Sequence, residues 1–153
     1  MKLSLILILT MVLCACKVTN NMATEDNVLQ IAHGTSFGRC NGYCTKTLTY
    51  SKEKSFETEQ SRNEKNFPLK TTQIPWNKQE WNMLTQALSS LDLSSIPDTI
   101  GCPDCADGGA EFIEITTKTG IKKITFEFGV EVKELTPFLH TLRKLKAEKI
   151  KEE

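Results

Sequence analysis

The first fifteen residues constrain this chain most, because they set apart a segment that does not fold with the rest and they determine the redox environment of what remains. Lys2 precedes an almost unbroken apolar run over residues 3–13 (LSLILILTMVL), and small residues follow near Ala15. These are the three parts of a secretory signal peptide. The run is shorter than the roughly 20 apolar residues that a membrane-spanning helix needs. We therefore predict that residues 1–15 are a cleaved export signal.

The end of this signal predicts a lipid attachment site. Residues 13–16 (LCAC) place an aliphatic, a variable and a small residue before Cys16, as in the lipobox of bacterial lipoproteins. Cleavage before Cys14 would put Leu13 where a small side chain is needed, so we predict that Cys16 becomes the acylated N-terminus. Stable anchoring takes at least two acyl chains, which a diacylglyceryl group and an N-acyl group supply. Membrane lipid is therefore the predicted partner of Cys16.

A lipid anchor predicts the location and organisation of the remaining chain. The expected location is the cell envelope, on a bacterial membrane, and we favour the outer membrane. Residues 16–27 comprise the acylated cysteine and a polar, flexible tether. Residues 28–147 form one α+β domain, and residues 148–153 form a charged tail. The chain has 19 basic and 19 acidic residues, whereas nucleic-acid-binding domains carry a basic excess, so nucleic acid is not an expected partner. The envelope location makes an envelope protein a candidate partner.

Alternating apolar residues predict several strands. Four short strands are predicted in the N-terminal part of the domain, over residues 28–32, 45–51, 55–60 and 69–74. Later in the chain, residues 110–118 and 121–128 flank Thr119-Gly120, which is a typical hairpin signal. The strands before the central helix and the hairpin after it favour an antiparallel sheet.

The clearest helix signal covers residues 77–91, where four apolar residues share one face (Trp81, Leu84, Leu88 and Leu91). Asn77 is placed to cap this helix, and Glu80 completes a capping box. Trp76 and Trp81 hold the positions of a hydrophobic staple. We assign both tryptophans to packing rather than to ligand binding.

A second amphipathic helix is predicted near the end of the domain. Thr136 is its expected cap, with Pro137 in the first helical position, and its apolar stripe has four members (Leu135, Phe138, Leu142 and Leu145). Together these elements predict an α+β fold: an antiparallel sheet of about five strands with the two amphipathic helices packed on one face.

Four cysteines of the domain are the main candidate site residues, Cys40 and Cys44 in one Gly-rich loop and Cys102 and Cys105 in another. Export favours disulfides. Three connectivities are possible and sequence does not choose among them, although we favour pairing within each loop. Alternatively, four thiolates at these spacings could hold a structural zinc ion. Residues 102–105 (CPDC) also have the form of a thiol–disulfide oxidoreductase motif, but no helix is predicted to follow and activate the thiol.

Other motifs are weaker. Four acidic residues in and around the second loop suggest calcium binding, but their spacing matches no EF-hand, so we interpret them as a solvated turn (Asp98, Asp104, Asp107 and Glu111). Residues 34–38 match the nucleophile-elbow pattern G-x-S-x-G, and Asp107 and His140 follow in triad order. The strand-to-helix context of an elbow is missing, so we interpret the match as chance. His33 and His140 are assigned to packing or surface roles.

The two cysteine loops carry a resemblance. Residues 36–44 (SFGRCNGYC) and residues 100–111 (IGCPDCADGGAE) resemble segments of small Bacteroidetes-type lipoproteins. In that group an F-G-x-C-x-G-x-C loop precedes a strand, and a G-C-P-D-C-A-D-G-G-A-E loop precedes a hairpin and a last helix. The resemblance covers residues 28–145. It implies a single domain in which the two loops belong together, and it implies no particular activity.

The sequence contains no convincing catalytic set. It favours a membrane-anchored lipoprotein whose domain is a non-enzymatic binding or accessory module with disulfide-stabilised loops. A tethered thiol–disulfide oxidoreductase that uses the CPDC motif and a four-cysteine zinc-binding module are the alternatives. Apart from that zinc, no cofactor is predicted.

Overall fold

One sheet of seven strands forms the framework of the protein. The computed structural model describes residues 27–150; the predicted export signal, Cys16, most of the tether and the last three residues lie outside the described residues. The strands are β1 (Val28–Ser36), β2 (Tyr43–Ser51), β3 (Ser55–Ser61), β4 (Lys70–Ile74), β5 (Thr99–Ile100), β6 (Ala110–Thr117) and β7 (Gly120–Glu127). Two helices accompany them, α1 (Lys78–Ser89) and α2 (Thr136–Ile150). Neither of these two helices is long and apolar enough to cross a membrane.

The sheet corrects the predicted fold. Its strand order is β4-β3-β2-β1-β6-β7-β5, and every neighbouring pair is antiparallel except β5 and β7, which run parallel. The prediction of an antiparallel sheet of about five strands is therefore wrong: the sheet has seven strands and is mixed. The parallel strand β5 has only two residues, which is too short to leave an alternating pattern in the sequence.

The first strand is also longer than predicted. β1 lies between β2 and β6, so residues 33–36, which resemble a loop in sequence, are hydrogen-bonded partners of both neighbours. Gly34 lies within the strand, paired with Thr47 on one side and with Phe112 on the other. A Cβ atom at Gly34 would come within 2.3 Å of the Phe112 ring. The glycine is therefore needed for close packing and not for a turn.

The core lies between the sheet and the two helices. Strand residues that alternate onto one face of the sheet belong to a single buried cluster with the apolar stripes of α1 and α2. The largest of the fully buried side chains are those of Trp81, Tyr50, Phe126 and Phe138. All four residues of the predicted α2 stripe are buried in this cluster, and Leu139 joins them. Two-period strands and 3.6-period helices thus bury complementary apolar faces.

The predicted start of α1 is confirmed. The Asn77 side chain accepts hydrogen bonds from the backbone N–H groups of Gln79 (2.9 Å) and Glu80 (3.0 Å), and the Glu80 carboxylate accepts one from the Asn77 N–H (2.9 Å). This is a complete capping box. Trp76 packs its ring against Tyr50 and donates from Nε1 to the Ser51 carbonyl at 2.7 Å.

The start and the end of α2 differ from the prediction. Thr136 is not the cap: its backbone is helical, and its hydroxyl donates to the Val132 carbonyl, since a 3₁₀ turn over Lys133–Leu135 already begins the helix. The helix also continues beyond residue 147, where the domain was predicted to end. Lys149 and Glu80 form an ion pair of 2.7 Å with both side chains largely buried, which holds the last turn of α2 against α1.

Candidate functional site

Two cysteine loops meet at one end of the sheet. β1 runs into the first loop, the second loop leads into β6, and Ser36 at the end of β1 is paired with Ala110 at the start of β6. We call this end of the sheet the loop end. Cys40 is bonded to Cys44 and Cys102 to Cys105, with 5.5 Å between the Cα atoms in each pair. Each disulfide therefore closes its own loop.

Asp104 joins the two loops. Its Oδ1 accepts hydrogen bonds from the backbone N–H of Gly38 in the first loop (3.1 Å) and of Gly109 in the second (3.2 Å). The Phe37 ring lies close against Gly109, whose φ of +85° is in the region that favours glycine, and packs edge-on against Phe128 at 5.1 Å between centroids. The two loops thus form one braced surface.

The four cysteines of the two loops are paired in disulfides and are not grouped as metal ligands. Among residues 27–150, no group of three or more His, Cys, Asp or Glu side chains is placed to hold a metal ion. The CPDC segment leads into a short 3₁₀ turn in which Ala106 and Asp107 have positive φ. It does not stand at the N-terminus of an α-helix, which is the usual means of activating a cysteine in such motifs.

The other sequence motifs are dispersed. Ser36 ends β1, Asp107 lies 3.3 Å from Arg39 in an exposed pair, and His140 lies beside a shallow cleft between the helices. No hydrogen bond or ion pair of the described residues joins Ser36, Asp107 and His140 into a triad. Of the four acidic residues interpreted as a solvated turn, Asp98 is exposed and pairs with Lys122, whereas Glu111 is 2% exposed, so the interpretation is wrong for Glu111.

Glu111 is the centre of a buried polar network beneath the loop end. Its Oε1 accepts hydrogen bonds from Nε2 of His33 (2.6 Å) and Nε of Arg143 (3.0 Å). Its Oε2 accepts from Nη2 of Arg143 (2.8 Å) and from the Gly129 N–H (3.2 Å). Arg143 continues to Glu131 at 2.9 Å. A bidentate arginine–carboxylate pair of this kind holds strand β6, helix α2 and the segment after β7 in fixed relation.

Burial and the neighbouring charged groups shift the pKa values of Glu111 and His33 in opposite directions. Burial raises the pKa of Glu111, but the hydrogen bonds from His33 and Arg143 outweigh it and lower that pKa to about 2. Burial lowers the pKa of His33 below its ordinary value, against the opposing effect of Glu111. At neutral pH the site therefore holds a charged carboxylate and a neutral imidazole that donates from Nε2. The other ring nitrogen, Nδ1, is buried and has no hydrogen-bond partner within the described part of the chain.

A cleft of about 380 Å³ opens beside this network, between α2 and the loop end. Besides the network residues, its lining includes Thr35, Phe128, Lys146 and Ala147. The volume falls in the range of small-molecule sites, which run from about 300 to 1,000 Å³. Lys146 is half-buried there, and burial lowers the pKa of its ammonium group. Perturbed titratable groups that converge on a cleft are a physical indication of a functional site.

A row of charges continues the network across the sheet. Register pairs Lys70 with Glu59, Glu59 with Lys46, Lys46 with Thr35 and Thr35 with Glu111. Glu59 accepts from Lys46 at 2.5 Å and from Lys70 at 2.8 Å, and these contacts lower the pKa of Glu59. The helix-facing side of the sheet is therefore apolar over most of its length and ionic near the loop end.

The importance of this network was not predicted, although the sequence carries one signal of it. Glu111 has the same strand parity as Ile113 and Ile115, and His33 has that of Ile31. Residues of one parity point to one face of a sheet. The side chains of His33 and Glu111 therefore point to the same face as the buried isoleucines. Arg143 had no comparable signal, since its partner lies on another element 32 residues away.

The buried histidine predicts a pH dependence of stability. The pKa of His33 is lowered in the folded state from its ordinary 6.5, so the unfolded chain binds the proton more tightly. The free energy of unfolding is therefore expected to be highest above pH 6.5 and to fall below it, with a slope of at most about 1.4 kcal/mol per pH unit from this group. Urea unfolding between pH 5.5 and 7.5 measures the slope.

His33→Gln should reduce this slope, because it removes the proton-binding group. His140→Gln is the matched control, since His140 is exposed on α2. Equal slopes in the wild type and in His33→Gln would contradict the assignment of the effect to His33.

Comparisons with known proteins give no family for this chain. No family model matches it, and no curated protein matches it at a significant level.

Proposed function

We propose that this protein is a lipid-anchored lipoprotein of the bacterial cell envelope, with a non-enzymatic binding or accessory domain that presents its loop end to a ligand or envelope partner. The observation that carries this proposal is the direction of β1. The strand begins at Val28, directly after the tether, and its nine residues end at the loop end. At about 3.3 Å per residue, β1 separates the tether from the loop end by about 30 Å. An anchor at Cys16 would therefore attach the domain at the end of β1 opposite the loop end, which leaves the loop end free to contact a ligand or partner.

The rigidity of the loop end supports a binding role. Two local disulfides and the Asp104 hydrogen bonds hold both loops, and Arg62 adds a 2.6 Å hydrogen bond to the Gly38 carbonyl. Binding to pre-ordered loops avoids much of the entropy cost of ordering them on association. The cleft beside the Glu111 network lies at this same end, which places a concave site next to a braced surface.

Disulfides also agree with the proposed location. Local disulfides persist in the oxidising space outside the cytoplasm, and export through the predicted signal would bring the domain there. The thiol oxidoreductase alternative is less well supported, because the CPDC segment lacks a following α-helix. An insulin-reduction assay that shows activity in the wild type and none in Cys102→Ser would replace our proposal with that alternative.

Lipid attachment is tested on the full-length precursor expressed in a bacterium with a labelled fatty acid. The wild type should carry the label and sediment with membranes, and Cys16→Ser should lose both properties. Cys14→Ser is the matched control and should keep the label, because Cys14 lies before the predicted cleavage site. Label retained in Cys16→Ser, or lost in Cys14→Ser, would contradict the assignment of Cys16.

A further inference from the structure

The cleft beside α2 contains a lysine that has no hydrogen-bond or ion-pair partner among the described residues. Within the described residues, Lys146 makes no hydrogen bond and no ion pair, although it is half-buried and lines the cleft. The other cation of the cleft differs: Arg143 donates to Glu111, Glu131 and the Val130 carbonyl. A partly desolvated ammonium group without a hydrogen-bonded anion is energetically unfavourable. An anion bound in the cleft would supply the missing partner.

A second group in the same wall is unsatisfied. His33 is 1% exposed, lines the cleft, and its Nδ1 has no hydrogen-bond partner among residues 27–150. Buried polar atoms are normally paired with protein or with an ordered molecule. Because Nε2 donates to Glu111, Nδ1 is a hydrogen-bond acceptor and does not itself bind an anion. Its lack of a partner, together with that of Lys146, distinguishes this cleft from an ordinary surface depression.

The surrounding charges limit the anion that would fit. The negative charges of Glu111 and Glu57 favour the charged form of Lys146, whereas the positive charge of Lys46 disfavours it. These carboxylates repel a bound anion, and the repulsion grows with its charge. A monovalent carboxylate suits the site better than a divalent phosphate monoester.

The remaining lining suits an apolar group. Phe128 and Ala147 line the cleft, and the Phe128 ring is held by Phe37 while 48% of the residue stays exposed. Small-molecule sites are mostly apolar, with a few polar groups that orient the ligand. An aromatic or aliphatic group next to the carboxylate would cover Phe128.

We propose that this cleft binds a small carboxylate that bears an apolar group, with the carboxylate accepting hydrogen bonds from Lys146 and the apolar group lying against Phe128. This inference deepens the proposed function and rests on it, since it names the ligand class of the binding domain.

Calorimetric titration of the full mature protein tests the ligand class. Three probes share one ring and differ in charge: phenylacetate, neutral phenylacetamide and dianionic phenyl phosphate. We expect phenylacetate to bind most tightly. Equal or tighter binding of phenylacetamide or phenyl phosphate would show that the cleft binds ligands but does not select a carboxylate, which would overturn the proposed ligand class. N-Acetylphenylalanine identifies the source of the carboxylate: tighter binding than phenylacetate indicates a peptide C-terminus, and weaker binding indicates a free acid.

A pair of lysine variants locates the site. Lys146→Met keeps most of the aliphatic stem and should weaken phenylacetate binding by about tenfold or more, the worth of a charge-assisted hydrogen bond. Lys144→Met, an exposed lysine on the same helix, should leave the affinity unchanged. Equal loss in both variants would overturn the proposed site. Absence of binding by any probe would overturn this inference alone, because labelling of Cys16 tests the anchored lipoprotein independently.

Discussion

Replacing Glu111 with glutamine is expected to lower the free energy of unfolding by about 3 kcal/mol, at the lower end of the cost of breaking a buried ion pair. The substitution leaves Arg143 without its bidentate carboxylate and His33 without a charged acceptor. We take the lower end because the Arg143 side chain is 25% exposed and keeps Glu131 as a partner. Urea unfolding followed by the fluorescence of the two tryptophans, without reductant, measures the loss.

The matched control for this variant is Glu114→Gln. Glu114 lies on the same strand but points to the opposite face, where it is 3.9 Å from Lys123 and partly exposed. Exposed pairs of this kind contribute between about 0 and 1 kcal/mol, so the control should lose little stability. Similar losses in the two variants would contradict the assignment of Glu111 as the centre of a stabilising network.

Replacing Gly109 with alanine is expected to lower the free energy of unfolding by a similar amount, about 3 kcal/mol from backbone strain and overpacking together. The φ of Gly109 is +85°, and an added Cβ would lie 2.4 Å from the Phe37 ring. The ring packs on Phe128 and has limited freedom to move. Because both loops meet here, thermal unfolding should begin at a lower temperature.

Gly120→Ala is the control for this effect, since a Cβ there would have no atom within 4 Å. Its stability should stay within about 0.5 kcal/mol of the wild type. The double variant Phe37→Ala, Gly109→Ala separates the two causes: removal of the ring relieves the steric contact and leaves the backbone strain. Strictly additive losses in this cycle would show that the Phe37 contact does not contribute.

The local elements of the protein were predictable because their causes are local. The capping box of α1 depends on Asn77 and Glu80, three residues apart, and the hairpin on Thr119-Gly120 between two alternating segments. Pairing of cysteines within each loop is likewise a short-range event. The apolar stripe of α2 was also predicted correctly, since a 3.6-residue period follows from helix geometry alone.

The remaining features depend on contacts between distant residues. The two-residue strand β5 exists because β7 offers it a parallel edge, and β1 continues through Gly34 because two neighbouring strands pair with it. Thr136 is not a cap because the chain after β7 already turns at Val132. None of these partners is adjacent in sequence, so no local pattern reports them.

The candidate site shows the same division. By itself, the amino-acid sequence determined the export signal pattern, the candidate cysteines, and the strand parity that turns His33 and Glu111 inward. Only the tertiary structure brought Arg143 and Lys146 on α2 over those two residues and placed the two disulfide loops side by side. The physical reason is that parity and periodicity are properties of one element, whereas an ion pair or a cleft requires the packing of several elements around a common core.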